Sequence, residues 1–163
     1  MKREVRLVID GDAGTRAARG LDTLSDLLAR ERAAAPASDP CREGACGDCV
    51  VLADGVLVAA CITPVLQLDG ARISTFAGLC RDDADEAPRL VAAARALARF
   101  ADDRGLFPCD VCRSGVLLAA ALDASGASGE GTSALSSRVC RCSDLAELPP
   151  EIERLRRELG EAP

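Results

Sequence analysis

Eight of the nine cysteines fall into two separated groups of four. The first comprises Cys41, Cys46, Cys49 and Cys61, and the second Cys109, Cys112, Cys140 and Cys142. Thiols at such spacings are candidate metal ligands. C-x4-C-x2-C with a distal fourth cysteine is the plant-type 2Fe–2S spacing. The cluster is a compact rhomb of two irons, each needing two thiolates. One tight loop supplies three sulfurs, and the fourth must come from a neighbouring element, here the segment after a hairpin. Gly44 and Gly47 let the loop take conformations that other residues resist, and they bring N–H groups toward the cluster sulfurs. Two such groups describe a molecule that moves electrons, because a cluster held only by thiolates has no open position for a substrate. The chain is then expected to carry electrons rather than to do substrate chemistry itself.

Zinc is the alternative ligand. Structural zinc sites favour paired C-x2-C knuckles, which the x4 spacing with interleaved glycine fits poorly. The second group is less specific, and on its own could hold zinc. Its Cys109-x2-Cys112 would open one helix, and its Cys140-x-Cys142 would sit at a bend between two others. Cys80 stands alone and reads as a small buried apolar residue. The chain has no histidine, which excludes His-based acid–base catalysis and Rieske-type ligation. Ser133, Ser136 and Ser137 lack the context of a catalytic triad.

These sites must be carried by 163 residues, enough for one ordinary domain or two small ones. A net charge of −6 and scattered arginines argue against a nucleic-acid partner. Met1 to Asp10 is charged and alternating, unlike a secretory signal, and no window is apolar enough to span a membrane. Nine cysteines without an export signal point to reduced, metal-bound thiols and a cytoplasmic location.

The first half reads as α+β. Val5, Leu7 and Ile9 share one face of a strand. Gly11 to Gly14 reads as a turn and Thr15 to Ala18 as the returning strand. Leu21, Leu24 and Leu28 form one helical stripe, with Asp22 or Thr23 as N-cap. Ala33 to Pro40 is an irregular loop leading into the first cysteine group. Asp54-Gly55 predicts a hairpin between Val50–Leu52 and Val56–Val58, and Arg72 to Phe76 is a last strand. Composition then changes. Residues 80–88 read as an acidic linker between domains at 1–79 and 89–163, with Asp82, Asp83, Asp85 and Glu86 on a solvated face. Beyond it the pattern is helical. Leu90, Ala94, Leu97 and Ala101 form one stripe, and Val116 to Leu122 is apolar on all sides, as in a central helix. Asp123 to Ser133 reads as a loop. A last helix starts at Pro149-Pro150 and stops at Gly160, with Ile152, Leu155 and Leu159 on one face and Glu153 paired with Arg157.

Taken together, the two cysteine groups resemble the small iron–sulfur subunit of the molybdenum hydroxylases, the xanthine dehydrogenase and aerobic carbon monoxide dehydrogenase family. The matching residues are Cys41-x2-Gly44-x-Cys46-Gly47-x-Cys49, Leu52-x-Asp54-Gly55, Cys61, Gly78-Leu79, Cys109-x2-Cys112 and Val139-Cys140-Arg141-Cys142. The resemblance implies an N-terminal β-grasp ferredoxin-like domain and a C-terminal all-α four-helix domain, each with a 2Fe–2S cluster. It implies partners too, a molybdopterin-binding large subunit and an FAD-binding medium subunit. Electrons would pass from the molybdenum subunit to Cys109, Cys112, Cys140 and Cys142, then to Cys41, Cys46, Cys49 and Cys61, and then to a flavin subunit or other acceptor. Three positions depart from the family pattern. Pro108 stands where the family has a pterin-bonding Gln, Asp110-Val111 replaces Gly-Phe, and Ser143-Asp144-Leu145 replaces Thr-Gly-Tyr. These departures motivate the alternative of a two-cluster carrier for another oxidoreductase, without molybdopterin contact.

Overall fold

The computed structural model describes residues 2–31, 41–109, 111–127 and 145–160. The expected loop at 33–40, Cys140, Cys142 and the Thr-Gly-Tyr counterpart lie outside the described residues.

The alternating N-terminal segment forms β1 (Lys2–Ile9), which pairs antiparallel with β2 (Asp12–Arg19) along its whole length, from Lys2 opposite Arg19 to Ile9 opposite Asp12. The connecting turn is shorter than the sequence suggests. Asp10 and Gly11 both have positive φ, 49° and 87°, as a two-residue hairpin of the primed type requires. Gly14 therefore lies in the strand. Its missing side chain makes room for buried Arg16, because a Cβ there would stand 2.3 Å from Arg16 Nη1. That guanidinium donates to the Leu7 carbonyl and to Asp12, and lies 3.6 Å from Glu31.

The helix expected next is α1 (Leu24–Glu31). Leu21 lies outside it and is 97% exposed, so the apolar stripe begins at Leu24. Thr23 opens the helix with a reciprocal cap: its Oγ1 accepts from the Asp26 N–H, and Asp26 accepts from the Thr23 N–H and hydroxyl. We expect Thr23→Ala to cost about 1 kcal/mol in urea unfolding. The hairpin is β3 (Val50–Ala53) and β4 (Val56–Ala59), turning on Asp54 and Gly55 at φ 49° and 80°. The last strand, β5, is Arg72–Ser74 only. Thr75 breaks it by capping α2 (Phe76–Leu79), a helical turn with no apolar period to announce it.

The five strands run β2-β1-β5-β3-β4, with β1 and β5 parallel and the other neighbours antiparallel. One face packs Val5, Leu7, Ile9, Val51 and Ile73 against Leu24, Leu27 and Leu28 of α1. On the other, Val50 and Leu52 join a second core built mainly from helices. β3 is thus buried on both faces.

The second core holds α3 (Pro88–Arg104), α4 (Arg113–Ala124) and, numbered among the described helices, α5 (Leu148–Gly160). Pro88 at the start and Gly105 at φ 59° past the end bound α3 as helix-end chemistry dictates. The run Val116–Leu122 is buried all round, as its pattern predicts. Residues 80–87 are tied to β5 by Arg72 to Asp85 and Ser74 to Glu86, while Asp82, Asp83 and Asp85 are exposed.

Two details differ at the C-terminal end. Asp123 belongs to α4 rather than to a loop, and is only 3% exposed. Its carboxylate is reached by Arg156 from α5, which draws Arg156 rather than Arg157 to Glu153, at 2.7 Å. Losing the guanidinium would leave a buried carboxylate unpaired. We expect Arg156→Leu to destabilise by about 2 kcal/mol in denaturant melts, less than for a fully buried pair because the arginine is partly solvated.

Candidate metal centre

Of the first group, Cys41, Cys46 and Cys49 lie between the end of α1 and the β3–β4 hairpin, and Cys61 follows the hairpin. Its loop is shaped by three left-handed residues, Arg42, Gly44 and Gly47, at φ 58°, 71° and 80°. Arg42 is held by Asp26 of α1 at 3.4 Å. Gly44 rests against Ile62, where a Cβ would come within 2.8 Å of Ile62 Cδ1. The loop is thereby pressed onto the segment that carries Cys61. That segment is also fixed by α1, whose first free N–H groups, on Leu24 and Ser25, donate to the Thr63 and Ala60 carbonyls.

The four thiols come together in two pairs. Cys46 N–H points at Cys41 Sγ, 3.5 Å away, and Cys61 N–H points at Cys49 Sγ, 3.4 Å away. The pairs sit in different surroundings. Cys41 is half-buried, and its thiol is drawn down to about 6, first by the Cys46 N–H, then by the Glu43 N–H, the Cys46 thiol and the Ala45 N–H. Cys49 is buried, and burial pushes its thiol up to about 11 against the opposing Cys61 N–H, with neighbouring Cys61 and Cys46 adding to the rise. Among the described residues, no group of three or more His, Cys, Asp or Glu side chains is placed to hold a metal ion. Two thiol pairs, each with backbone N–H groups aimed at sulfur, are nonetheless a donor set whose chemistry fits a bridged pair of irons.

Of the second group, Cys109 is exposed and Cys112 half-buried, at the N-terminal end of α4. Cys112 caps that helix, as the sequence suggests. Pro108 and Val111 beside them are exposed as well, while Leu106 and Phe107 turn into the core. Cys80 packs partly buried against the helical core, and burial raises its thiol against the pull of Arg95, Arg113 and Arg99.

Sequence reasoning missed the contact that joins the two groups. Gly115, one turn into α4, lies directly on the Gly47 carbonyl of the first loop. The signal that could have found it is a glycine at the head of the apolar run Val116–Leu122, where alanine would serve the helix better.

No family model matches the chain. It is 30% identical over 163 residues to a probable xanthine dehydrogenase subunit of Bacillus subtilis (strain 168), covering 98% of this chain and 88% of that protein. It is 29% identical over 151 residues to the nicotinate dehydrogenase small FeS subunit of Eubacterium barkeri, covering 90% of each. This chain belongs to the small iron–sulfur subunits of the molybdenum hydroxylases. The fold of this small subunit is shared with quinoline 2-oxidoreductase from Pseudomonas putida 86, at a TM-score of 0.67 and 23% identity over 96% of this chain and 97% of that one. Among the described residues of the small subunit, no helix is long and apolar enough to cross a membrane.

Proposed function

We propose that this subunit relays electrons through two 2Fe–2S clusters inside a molybdopterin-dependent hydroxylase or dehydrogenase complex. Cys41, Cys46, Cys49 and Cys61 would hold one cluster, in a β-grasp ferredoxin-like domain spanning 1–79. Cys109, Cys112, Cys140 and Cys142 would hold the other, in a four-helix domain spanning 89–163 after a linker at 80–88. When bound, each cluster supplies a site that accepts and returns one electron. The pairing of the first four thiols is the observation that carries this reading.

The chain's own groups would tune and protect these sites. The N–H groups of Glu43, Ala45 and Cys46 favour negative charge at the Cys41 sulfur, and the Cys61 N–H does the same at Cys49. Burial of Cys49 and Cys61 keeps water from one side of the first site. Exposure of Cys109 and Val111 leaves the opening of α4 available to a subunit that delivers electrons. In this arrangement the partners are a molybdopterin-binding large subunit and an FAD-binding medium subunit, in the cytoplasm.

Native affinity purification, metal analysis and paramagnetic resonance of the dithionite-reduced complex test the reading. The expected result is two distinct iron–sulfur signals, with molybdenum in a co-purifying large chain. A single signal overturns it. Exposed Pro108 supports a second reading, because it offers no side-chain donor and no backbone N–H to a pterin. On that reading the chain is a two-cluster carrier for another oxidoreductase, and both signals appear without molybdenum.

A further inference from the structure

Among the described residues, α4 meets the first thiol loop at a backbone contact between Gly115 and Gly47. Cys112 caps α4, and its carbonyl accepts from the Val116 N–H at 3.0 Å, so the helix is properly formed from its first turn. Gly115 lies in that turn, roughly 4.5 Å along the axis from Cys112 at the usual helical rise. A Cβ on Gly115 would stand 1.9 Å from the Gly47 carbonyl oxygen, 3.1 Å from its carbon and 3.0 Å from Val50 Cβ. Gly47 lies between Cys46 and Cys49, and Val50 directly follows Cys49. Beside this contact the seam is looser. Ser114, Cys49, Asp48 and Phe76 line a cavity of about 150 Å³ between the loop and the helix. The first turn of α4 is therefore seated on the first thiol loop through this backbone contact, with the cavity beside it.

We propose that the Gly47–Gly115 contact is the spacer that sets how far Cys112, the second group's ligand at the start of α4, lies from the first thiol loop, with Gly115 as its positioning residue. The inference rests on the two-site reading. The exchange served is simple: one electron leaves the reduced site at the second thiol set and arrives at the oxidised site at the first, with no bond made or broken. Such transfer weakens steeply as a gap widens. Any side chain at 115 must lift α4 away from the loop, because the atom it meets is main-chain oxygen that cannot turn aside. Alanine would otherwise favour the helix, so a loss at this position comes from the contact and not from helix formation.

The test uses the native complex carrying Gly115→Ala or, as a second variant, Gly115→Ser, each of which sets a Cβ against the Gly47 carbonyl oxygen. Both reduced sites are read by low-temperature paramagnetic resonance, and electron equilibration between them by rapid freezing after substrate is mixed in. The expected result is that both iron–sulfur signals persist while the magnetic splitting between them shrinks and equilibration slows severalfold. Ser114→Ala, which alters the cavity but not the contact, should leave both readouts unchanged. Wild-type splitting and rate in a variant that retains both signals would overturn the proposal. So would loss of both signals in both Gly115 variants, because the contact would then serve folding rather than spacing. Failure of the wild-type complex to give two signals is a different result and strikes the proposed function itself.

Discussion

Cys61→Ser is expected to remove one of two iron–sulfur signals and half of the bound iron, leaving the other signal in place. Cys61 is 4% exposed and sits where three constraints meet. Its N–H donates to Cys49 Sγ, its neighbour Ala60 accepts from Ser25 of α1, and Ile62 backs onto Gly44 of the thiol loop. Serine preserves the shape and the main-chain bond but replaces a soft thiolate with a hydroxyl that iron–sulfur chemistry uses poorly. Because ligation and folding are coupled, the loop should lose its stability along with its metal. We expect a loss on the order of 5 kcal/mol, which for a chain of this size lowers Tm by roughly 15 °C. Cys80→Ser is the matched control. Cys80 belongs to neither group of four, so both signals should remain and only a modest packing loss should register. Iron analysis and paramagnetic resonance on the two variants decide the matter. Retention of both signals in Cys61→Ser would remove Cys61 from the first site.

The features that sequence makes legible are those whose cause is local. Cysteine spacing reflects the reach of one short loop, and the structure sets Cys46 beside Cys41 and Cys61 beside Cys49. Asp54-Gly55 forms its hairpin because those two residue types tolerate the positive φ that the turn needs. Val5, Leu7 and Ile9 face the core because the period of a strand is fixed. Illegible features depend on a distant partner. Gly14 looks like a turn glycine until the buried Arg16 guanidinium is seen over it. Leu21 continues a helical stripe on paper, yet the Thr23–Asp26 cap starts the helix after it. Glu153 chooses Arg156 because Asp123, thirty-three residues before that arginine, draws the guanidinium to its side of α5. Gly115 and Gly47 are far apart in the chain, and no periodicity could have paired them.

Gly78→Ala should be among the most damaging single-methyl additions in the protein, costing about 3 kcal/mol and lowering Tm by about 10 °C. A Cβ at 78 would lie 2.0 Å from Asp10 Oδ1 and 2.8 Å from Asp10 Cβ. The carboxylate cannot simply swing aside. Its Oδ1 accepts from the Thr75 N–H at 2.7 Å and its Oδ2 from the Thr75 hydroxyl at 2.9 Å, while Thr75 Oγ1 accepts in turn from the Gly78 N–H. Displacing Asp10 therefore breaks the cap of α2, the short helix whose Phe76 lines the seam beside Cys49. The same knot gives stability a pH dependence of unusual sign for an aspartate. Burial raises the Asp10 pKa, with the Glu86 charge adding to it, and the bonds from Thr75 and the charge of Arg81 only partly oppose the rise. A carboxyl that binds its proton more tightly when folded contributes fully below its unfolded pKa, and that contribution is lost as pH climbs through the raised folded value. Melts across the acidic range should show this loss in the wild type and a flatter profile in Asp10→Asn. The steric and hydrogen-bonding parts separate in a double variant: once Asp10→Gly has removed the obstructing side chain, Cβ included, adding Gly78→Ala should cost far less than it does alone. An undiminished cost in that background would mean that the clash lies elsewhere and that Asp10 is not what holds position 78 to glycine.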